Sequence, residues 1–240
     1  MKKLLEPIGV IIPTYNEKEN ILDLIEQIRS NVEGAYIYVV DDNSPDGTAE
    51  IVRKYISNKD GRVSLIVRRS KSGRGGAVLS GFEEALKNPK IEYFIEMDAD
   101  FSHKPTDMPR ILDKREPNTV VVASRYTRGG KIMNWSIRRK VMSRFANTYI
   151  RTILHVPVSD CTNGYRCYPR EAVKLIVHSR IQQKGFIALS ETLYLLYRHG
   201  FRFVEVPFKF VDREKGKSNA NLMELLRSFS AIFAIKRKYS

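Results

Sequence analysis

Tyr93-Phe94-Ile95-Glu96-Met97-Asp98-Ala99-Asp100 sets a short apolar run directly ahead of two carboxylates. The run from Tyr93 to Met97 reads as a buried strand. In extended chain, side chains i and i+2 point to the same side, so Asp98 and Asp100 can face one cation. A hard cation such as Mg²⁺ or Mn²⁺ takes one or two carboxylates from protein and fills its shell with water and phosphate oxygens. Placed there it neutralises charge on a diphosphate. An isolated D-x-D is common, and Asp100 can equally close a turn. Its position at the carboxyl end of a strand is what makes it a candidate site.

Upstream, the chain alternates between two periods. Ile8-Gly9-Val10-Ile11-Ile12, ended by Pro13, reads as a strand. Asn16 with Glu19 is in capping-box register for a helix whose Ile21, Leu24, Ile25 and Ile28 share one face. Tyr36–Val40 is a second strand. Ser44-Pro45-Asp46-Gly47 is a turn into a helix with Ile51, Val52, Tyr55 and Ile56 inward. Val63–Val67 is a third strand, and Gly73-Arg74-Gly75-Gly76 opens a helix with Val78, Phe82, Ala85 and Leu86 on one face. Strands alternating with helices predict an α/β protein with a mostly parallel sheet covered on both sides. Ligands of such sheets sit at the strands' carboxyl ends. That selects the loops Pro13–Glu17, Asp41–Gly47, Ser70–Gly76 and Asp98–His103.

The second half is less regular. Val120–Ser124 reads as a strand, Trp135 to about Leu154 as a basic amphipathic helix, and Glu171–Val177 and Leu189–Arg198 as helices. Phe201–Val206 and Phe208–Val211 read as strands broken by Pro207. A last helix from about Asn221 carries Leu222, Leu225, Leu226, Phe229, Ile232 and Phe233 on one stripe, followed by Lys236-Arg237-Lys238. That pattern fits either core packing or contact with an anionic membrane or a small membrane partner. The organisation expected is one catalytic domain over residues 1–220 and an amphipathic basic helix over 221–240.

The chain's 240 residues suffice for a substantial core. No apolar run reaches the roughly 18–20 residues that span a bilayer, and the N-terminus is too short for a signal peptide. The expected location is cytoplasmic. Cys161 and Cys167 form no metal-ligand spacing and no disulfide framework. The net charge of +14 attracts polyanions. It is concentrated: from Arg125 to Arg151 there are eight basic residues and no acidic one. On the helix there, Trp135, Arg139, Met142 and Ser143 fall on one face. An indole, a guanidinium and a hydroxyl together suit a phosphate carried on an apolar chain. Nucleic-acid binding would call for exposed aromatics on a sheet or a recognised motif, and the sequence has neither.

Other readings are narrowed by what the loops lack. There is no G-x-x-x-x-G-K-[ST] and no G-x-G-x-x-G after the first strand, which argues against a P-loop NTPase and a dinucleotide dehydrogenase. A nucleotidyltransferase should carry a glycine-rich, lysine-bearing loop after the first strand, where this chain has Pro13-Thr14-Tyr15-Asn16-Glu17. Of Asp41-Asp42, one can accept from a ribose hydroxyl or base edge while the other forms the turn. Gly73–Gly76 is a tight turn or a weak phosphate contact. His103 is more readily a local hydrogen-bonding group than a ligand.

These residues resemble the family-2, GT-A fold glycosyltransferases, and within them the dolichol-phosphate mannose synthases, over Ile8 to Phe233. The motifs are Pro13-Thr14-Tyr15-Asn16-Glu17, Val40 to Thr48, Asp98 to Pro105, Ser124-Arg125-Tyr126, Asn134-Trp135 with Arg139, Ser143-Arg144 and Ala146-Asn147, Asp160 with Gly164-Tyr165-Arg166, and Phe210-Val211-Asp212-Arg213 with Gly216 and Ser218. The resemblance implies inverting transfer of mannose from GDP-mannose to dolichyl or another polyprenyl phosphate, with Mg²⁺ or Mn²⁺, on the cytoplasmic face of a membrane. UDP-glucose as donor is the alternative. It implies that Pro13, Tyr15, Glu17, Val40 and Asp42 surround the nucleoside, and that Asp98, Ala99, Asp100 and Ser102 lie at the metal and diphosphate. Arg125, Arg139 and Ser143 would hold the acceptor phosphate, and Arg213 the donor's phosphates or sugar. The family usually reads Arg-x-x-Gly-Glu-Ser-Lys at the last motif. Here Asn219 replaces the final lysine, so Lys215 or Lys217 would have to supply its charge.

Overall fold

The computed structural model describes residues 7–58, 61–69, 73–179, 181, 185–211 and 222–239. The first half runs β1 (Ile8–Thr14), α1 (Ile21–Asn31), β2 (Tyr36–Asp41), α2 (Thr48–Ser57), β3 (Val63–Val67), α3 (Arg74–Leu86) and β4 (Tyr93–Glu96). A single 3-10 turn, Pro105–Asp107, then leads into α4 (Met108–Leu112) and β5 (Thr119–Ser124). The second half adds β6 (Lys131–Met133), α5 (Ile137–Leu154), β7 (Arg166–Pro169), α6 (Arg170–His178), α7 (Gly185–Arg198), β8 (Arg202–Pro207), β9 (Lys209–Val211) and α8 (Leu222–Tyr239).

The main sheet has seven strands in the order β3-β2-β1-β4-β7-β5-β8, and β6 pairs with β9 in a separate ribbon. The sheet is parallel except for β7, which runs antiparallel to β4 on one side and β5 on the other. From β1 the chain steps outward to β2 and β3, then returns to pair β4 on the other side of β1. The carboxyl ends of β1 and β4 therefore flank the point where strand order reverses, and such a switch point opens a crevice.

Successive strand residues enter opposite layers, as a two-residue period requires. Ile11, Val40, Phe94, Val120 and Val122 face the layer that contains α3, α6 and α7. Val10, Ile12, Val39, Ile95 and Val121 face the layer built on α1 and α4. Burial on both faces explains the continuous apolar runs of β1 and β2. Helix α3 lies close on the sheet because Gly81 has no side chain: a Cβ there would sit 2.6 Å from the Ile11 Cγ2 and 3.0 Å from the Val40 Cγ2.

Two local expectations shift. Helix α1 begins at Ile21 after Asn20, and Asn16 does not cap it. Asn16 instead turns the chain at φ 60 in the left-handed region, which asparagine tolerates better than most residues. The stripe on the last helix is settled where its side chains are described: Ile232 and Ile235 are buried, while Phe233 is exposed. The end of α8 is tied down by Lys238 and the Tyr239 hydroxyl, each 2.9 Å from the buried Glu191 carboxylate. Among the described residues no helix is long and apolar enough to cross a membrane.

Candidate active site

The loops after β1 and β2 form one unit. The Thr14 hydroxyl donates to Asp41 Oδ1 at 2.9 Å. The other Asp41 oxygen accepts the Ser44 amide at 2.8 Å. The Asn16 amide donates to the Ser44 hydroxyl, the Glu17 amide to the Thr48 hydroxyl and the Lys18 amide to the Asp46 carboxylate. Asp41 is therefore the residue that builds the turn. Asp42 takes the Arg68 guanidinium at 2.8 Å and the Gly73 amide at 3.2 Å. It stands where β2, β3 and α3 meet, at the mouth of the crevice.

Around this mouth Pro13 and Glu17 are partly exposed and Tyr15 is exposed. The Val40 side chain is fully buried under α3, so only its backbone lies near the mouth. Ala99 is likewise buried.

Asp98 and Asp100 follow β4 and are both partly exposed, with Ala99 buried between them. That alternation puts both carboxylates on the crevice side. Phe101 then reverses the chain at φ 58, a conformation costly for a bulky residue. Asp100 Oδ1 accepts the Ser102 amide at 3.1 Å, so the turn-forming role and the crevice position coexist. Ser102 is buried. His103 is buried as well: its Nδ1 accepts the Asp98 amide at 2.9 Å, and its Nε2 lies 2.8 Å from the Asn163 Oδ1. An amide can only donate and a carbonyl oxygen only accept, so the ring is the neutral Nε2–H tautomer. His103 shapes the loop and is not a ligand. Asp98 Oδ1 also receives the Arg74 Nε at 2.6 Å.

No group of three or more His, Cys, Asp or Glu residues able to hold a metal occurs among the described residues. Two carboxylates at an open crevice suit a cation whose shell is completed by phosphate and water, and do not suit a closed structural metal.

Across the crevice, Arg125 follows β5. Its Nε and Nη2 grip the Asp160 carboxylate at 2.7 Å each, and Nη2 also donates to the Thr162 hydroxyl at 2.8 Å. Burial alone would push the Asp160 carboxyl up; the Arg125 charge and its hydrogen bonds outweigh that and hold it below the usual carboxylate range. Asn147 of α5 bonds the Cys161 amide and the Thr162 hydroxyl, which fixes α5 to the same loop. The Tyr126 hydroxyl donates to the Ser143 hydroxyl at 2.7 Å. Trp135 precedes α5, and the Arg139 guanidinium lies 3.9 Å from its ring centroid. Phe210 meets Trp135 edge-on at 5.3 Å. Arg125, Arg139 and Ser143 are thus brought to one aromatic-walled face, with two of Arg125's nitrogens already committed. Arg213 and Lys217 lie outside the described residues. Burial pushes the thiols of Cys161 and Cys167 up to about 12, and both are inert.

Sequence reasoning passed over Arg74 and Glu96. Their signals were present: a charged residue inside an apolar strand, and a base opening the helix beside it.

A parallel sheet with paired carboxylates at its switch point and a guanidinium-rich second half defines an enzyme of the nucleotide-sugar transferase class. The family model for glycosyl transferase family 2 matches residues 9–176, and the chain belongs to that family. Polyprenol monophosphomannose synthase of Mycolicibacterium smegmatis is 39% identical over 221 residues, covering 90% of this chain and 83% of that protein. Undecaprenyl-phosphate mannosyltransferase of Micrococcus luteus is 38% identical over 208 residues, covering 87% of this chain and 85% of that one. Glucosyl-3-phosphoglycerate synthase of Mycobacterium tuberculosis, in complex with Mn²⁺, UDP and phosphoglyceric acid, shares the fold with a TM-score of 0.67 at 18% identity, over 99% of this chain and 79% of that one.

Breaking one side of a buried ion pair costs about 3–5 kcal/mol. Asp160→Asn should lower stability by about that much in urea unfolding at pH 7. The sign with pH follows from the depressed carboxyl. Its contribution is complete above the unfolded value of about 3.9 and is lost as pH falls through the folded value. The gap between native and variant proteins should therefore narrow in acid; a gap that stays constant would show the pair is not its source.

Proposed function

We propose that the protein is a polyprenyl-phosphate mannosyltransferase. It moves mannose from GDP-mannose to dolichyl or another polyprenyl phosphate, with Mg²⁺ or Mn²⁺ at Asp98 and Asp100. The names of the two relatives support the reading. The observation that carries it is the Arg139 guanidinium stacked on Trp135 beside the Tyr126–Ser143 pair. A guanidinium held against an indole by a cation–π contact retains N–H donors of the kind a phosphate takes. Because Tyr126 donates to Ser143, the Ser143 proton is left to donate to a phosphate oxygen.

The chemistry asked of the chain is modest. A phosphate oxygen is already anionic, so one displacement at the anomeric carbon needs no strong base and inverts that centre. Asp42, Pro13, Tyr15 and Glu17 hold the nucleoside, and Arg213 and Lys217 complete the donor side. Arg125 is fixed by Asp160 and orients the acceptor face. When bound, the cation supplies neutralisation of the leaving diphosphate.

The surface beside this face fits an acceptor buried in a bilayer. Ile137, Val141 and Phe145, at i, i+4 and i+8 on α5, are 81%, 62% and 58% exposed. Phe233 of α8, 57% exposed, continues the stripe beside Tyr149. Arg138, Lys140 and Arg144 are exposed alongside. An apolar ridge edged with cations seats at an anionic lipid surface. The enzyme works there as a peripheral protein on the cytoplasmic face, with α5 as the contact.

Three outcomes test this reading. With a short polyprenyl phosphate and Mn²⁺, GDP-mannose should give product faster than UDP-glucose; the reverse order would make the protein a glucosyltransferase. Arg139→Ala should raise the acceptor KM at least tenfold while nucleotide affinity changes less than twofold, as expected for loss of about 1.5–3 kcal/mol from a charged hydrogen bond. Ile137→Ser with Val141→Ser and Phe145→Ser should abolish co-sedimentation with phosphatidylglycerol vesicles and leave turnover of a water-soluble short-chain acceptor intact. Retained vesicle binding would move the contact elsewhere.

A further inference from the structure

Arg74, the first residue of α3, is the charged group nearest Asp98 that the transfer reaction above does not use. Its Nε donates to Asp98 and its Nη1 to Glu96. Glu96 is 2% exposed, and its other oxygen accepts the Tyr168 hydroxyl at 3.0 Å. The third guanidinium nitrogen, Nη2, is buried and has no partner. Room for the group is left by Gly164, where a Cβ would collide with the guanidinium. Asp98 is the accessible end of this chain of contacts, with its side chain 34% exposed against 21% for Arg74 and 3% for Glu96.

The arrangement sets a condition on the crevice. A divalent cation approaching Asp98 meets a fixed guanidinium on the same carboxylate. Two cations sharing one carboxylate repel, and in a partly buried site that repulsion is poorly screened. A diphosphate reverses the balance, because it brings several negative charges that attract both cations. We propose that Arg74 is a positioning residue that makes cation binding conditional on the diphosphate: it holds Asp98 as counter-ion in the free enzyme, and releases that charge to the donor when the donor arrives. The coupling is reciprocal, so each ligand tightens the other. This rests on the reading of Asp98 as a cation ligand.

The test uses the whole chain and Mn²⁺, with free ion counted by electron paramagnetic resonance in the absence of nucleotide. Arg74→Met with Glu96→Gln removes one charge of each sign, so the local net charge is unchanged while Asp98 loses its partner. The expected result is Mn²⁺ bound alone at least fivefold more tightly than by the native enzyme, with a smaller further gain on adding GDP. Arg74→Gln with Glu96→Gln, whose amides can bond one another, serves if the methionine version does not fold by circular dichroism. Unchanged or weaker Mn²⁺ binding in a folded variant overturns the proposal. Asp98→Asn separates the two readings: if it binds Mn²⁺ as the native enzyme does, Asp98 is not the ligand; if it loses Mn²⁺ while the double variant gains nothing, Asp98 is the ligand and Arg74 does not gate it.

Discussion

Carboxylates crowd the carboxyl edge of the sheet, and the site depends on how buried and partly buried guanidinium groups balance them. Asp42 meets Arg68, Glu96 and Asp98 meet Arg74, and Asp160 meets Arg125. A parallel sheet sends the ends of its strands to one side, so the acids that suit a diphosphate and its cation accumulate there. Unpaired, such charges would be costly in a partly dry crevice. Each guanidinium also joins two elements that are distant in sequence. Arg68 ties the end of β3 to β2, Arg74 ties α3 to β4, and Arg125 ties β5 to the loop that anchors α5.

The strand β7 makes the two halves of the site one object. It lies antiparallel between β4 and β5, so Tyr168 reaches Glu96 while the segment just before it carries Asn163 and Asp160. Asn163 touches the His103 ring in the turn after β4, and Asp160 grips Arg125 at the end of β5. A short loop therefore ties the turn after β4 to the end of β5. On the proposed function, such fixed placement would hold two bound molecules in register, one source of rate in a joining reaction.

The first half of this fold was legible because its signals were local. Apolar runs of strand length and helical stripes such as Ile21, Leu24, Ile25 and Ile28 reported burial directly, and the structure buries all four. Strand β7 was not legible from the pattern. Arg166-Cys167-Tyr168-Pro169 holds a charged residue and a proline, and only its neighbours make it a strand. Arg166 survives there because its guanidinium donates to the Leu189 and Cys161 carbonyls, a tertiary fact with no trace in spacing. The division of labour between Asp41 and Asp42 was open for the same reason. Only the Thr14 and Ser44 partners of Asp41 show which of the two makes the turn.

The basic stretch around α5 shows how an even charge count can hide a division of roles. In sequence, Arg139 is set apart by the face it shares with Trp135 and Ser143, while spacing alone does not distinguish Arg125, Arg138, Lys140 and Arg144. Burial separates them: Arg125 is 8% exposed and paired, Arg139 packs over the Trp135 ring, and Arg138, Lys140 and Arg144 are exposed beside the apolar stripe. One helix thus carries a guanidinium packed on an indole at its inner edge and an exposed apolar ridge at its outer edge. An acceptor whose phosphate must enter the crevice while its chain stays in a bilayer needs both on a single rigid element. On this reading the chain's cationic excess concentrates on α5 because the helix must serve two anionic surfaces at once, the acceptor's phosphate and the membrane that holds it.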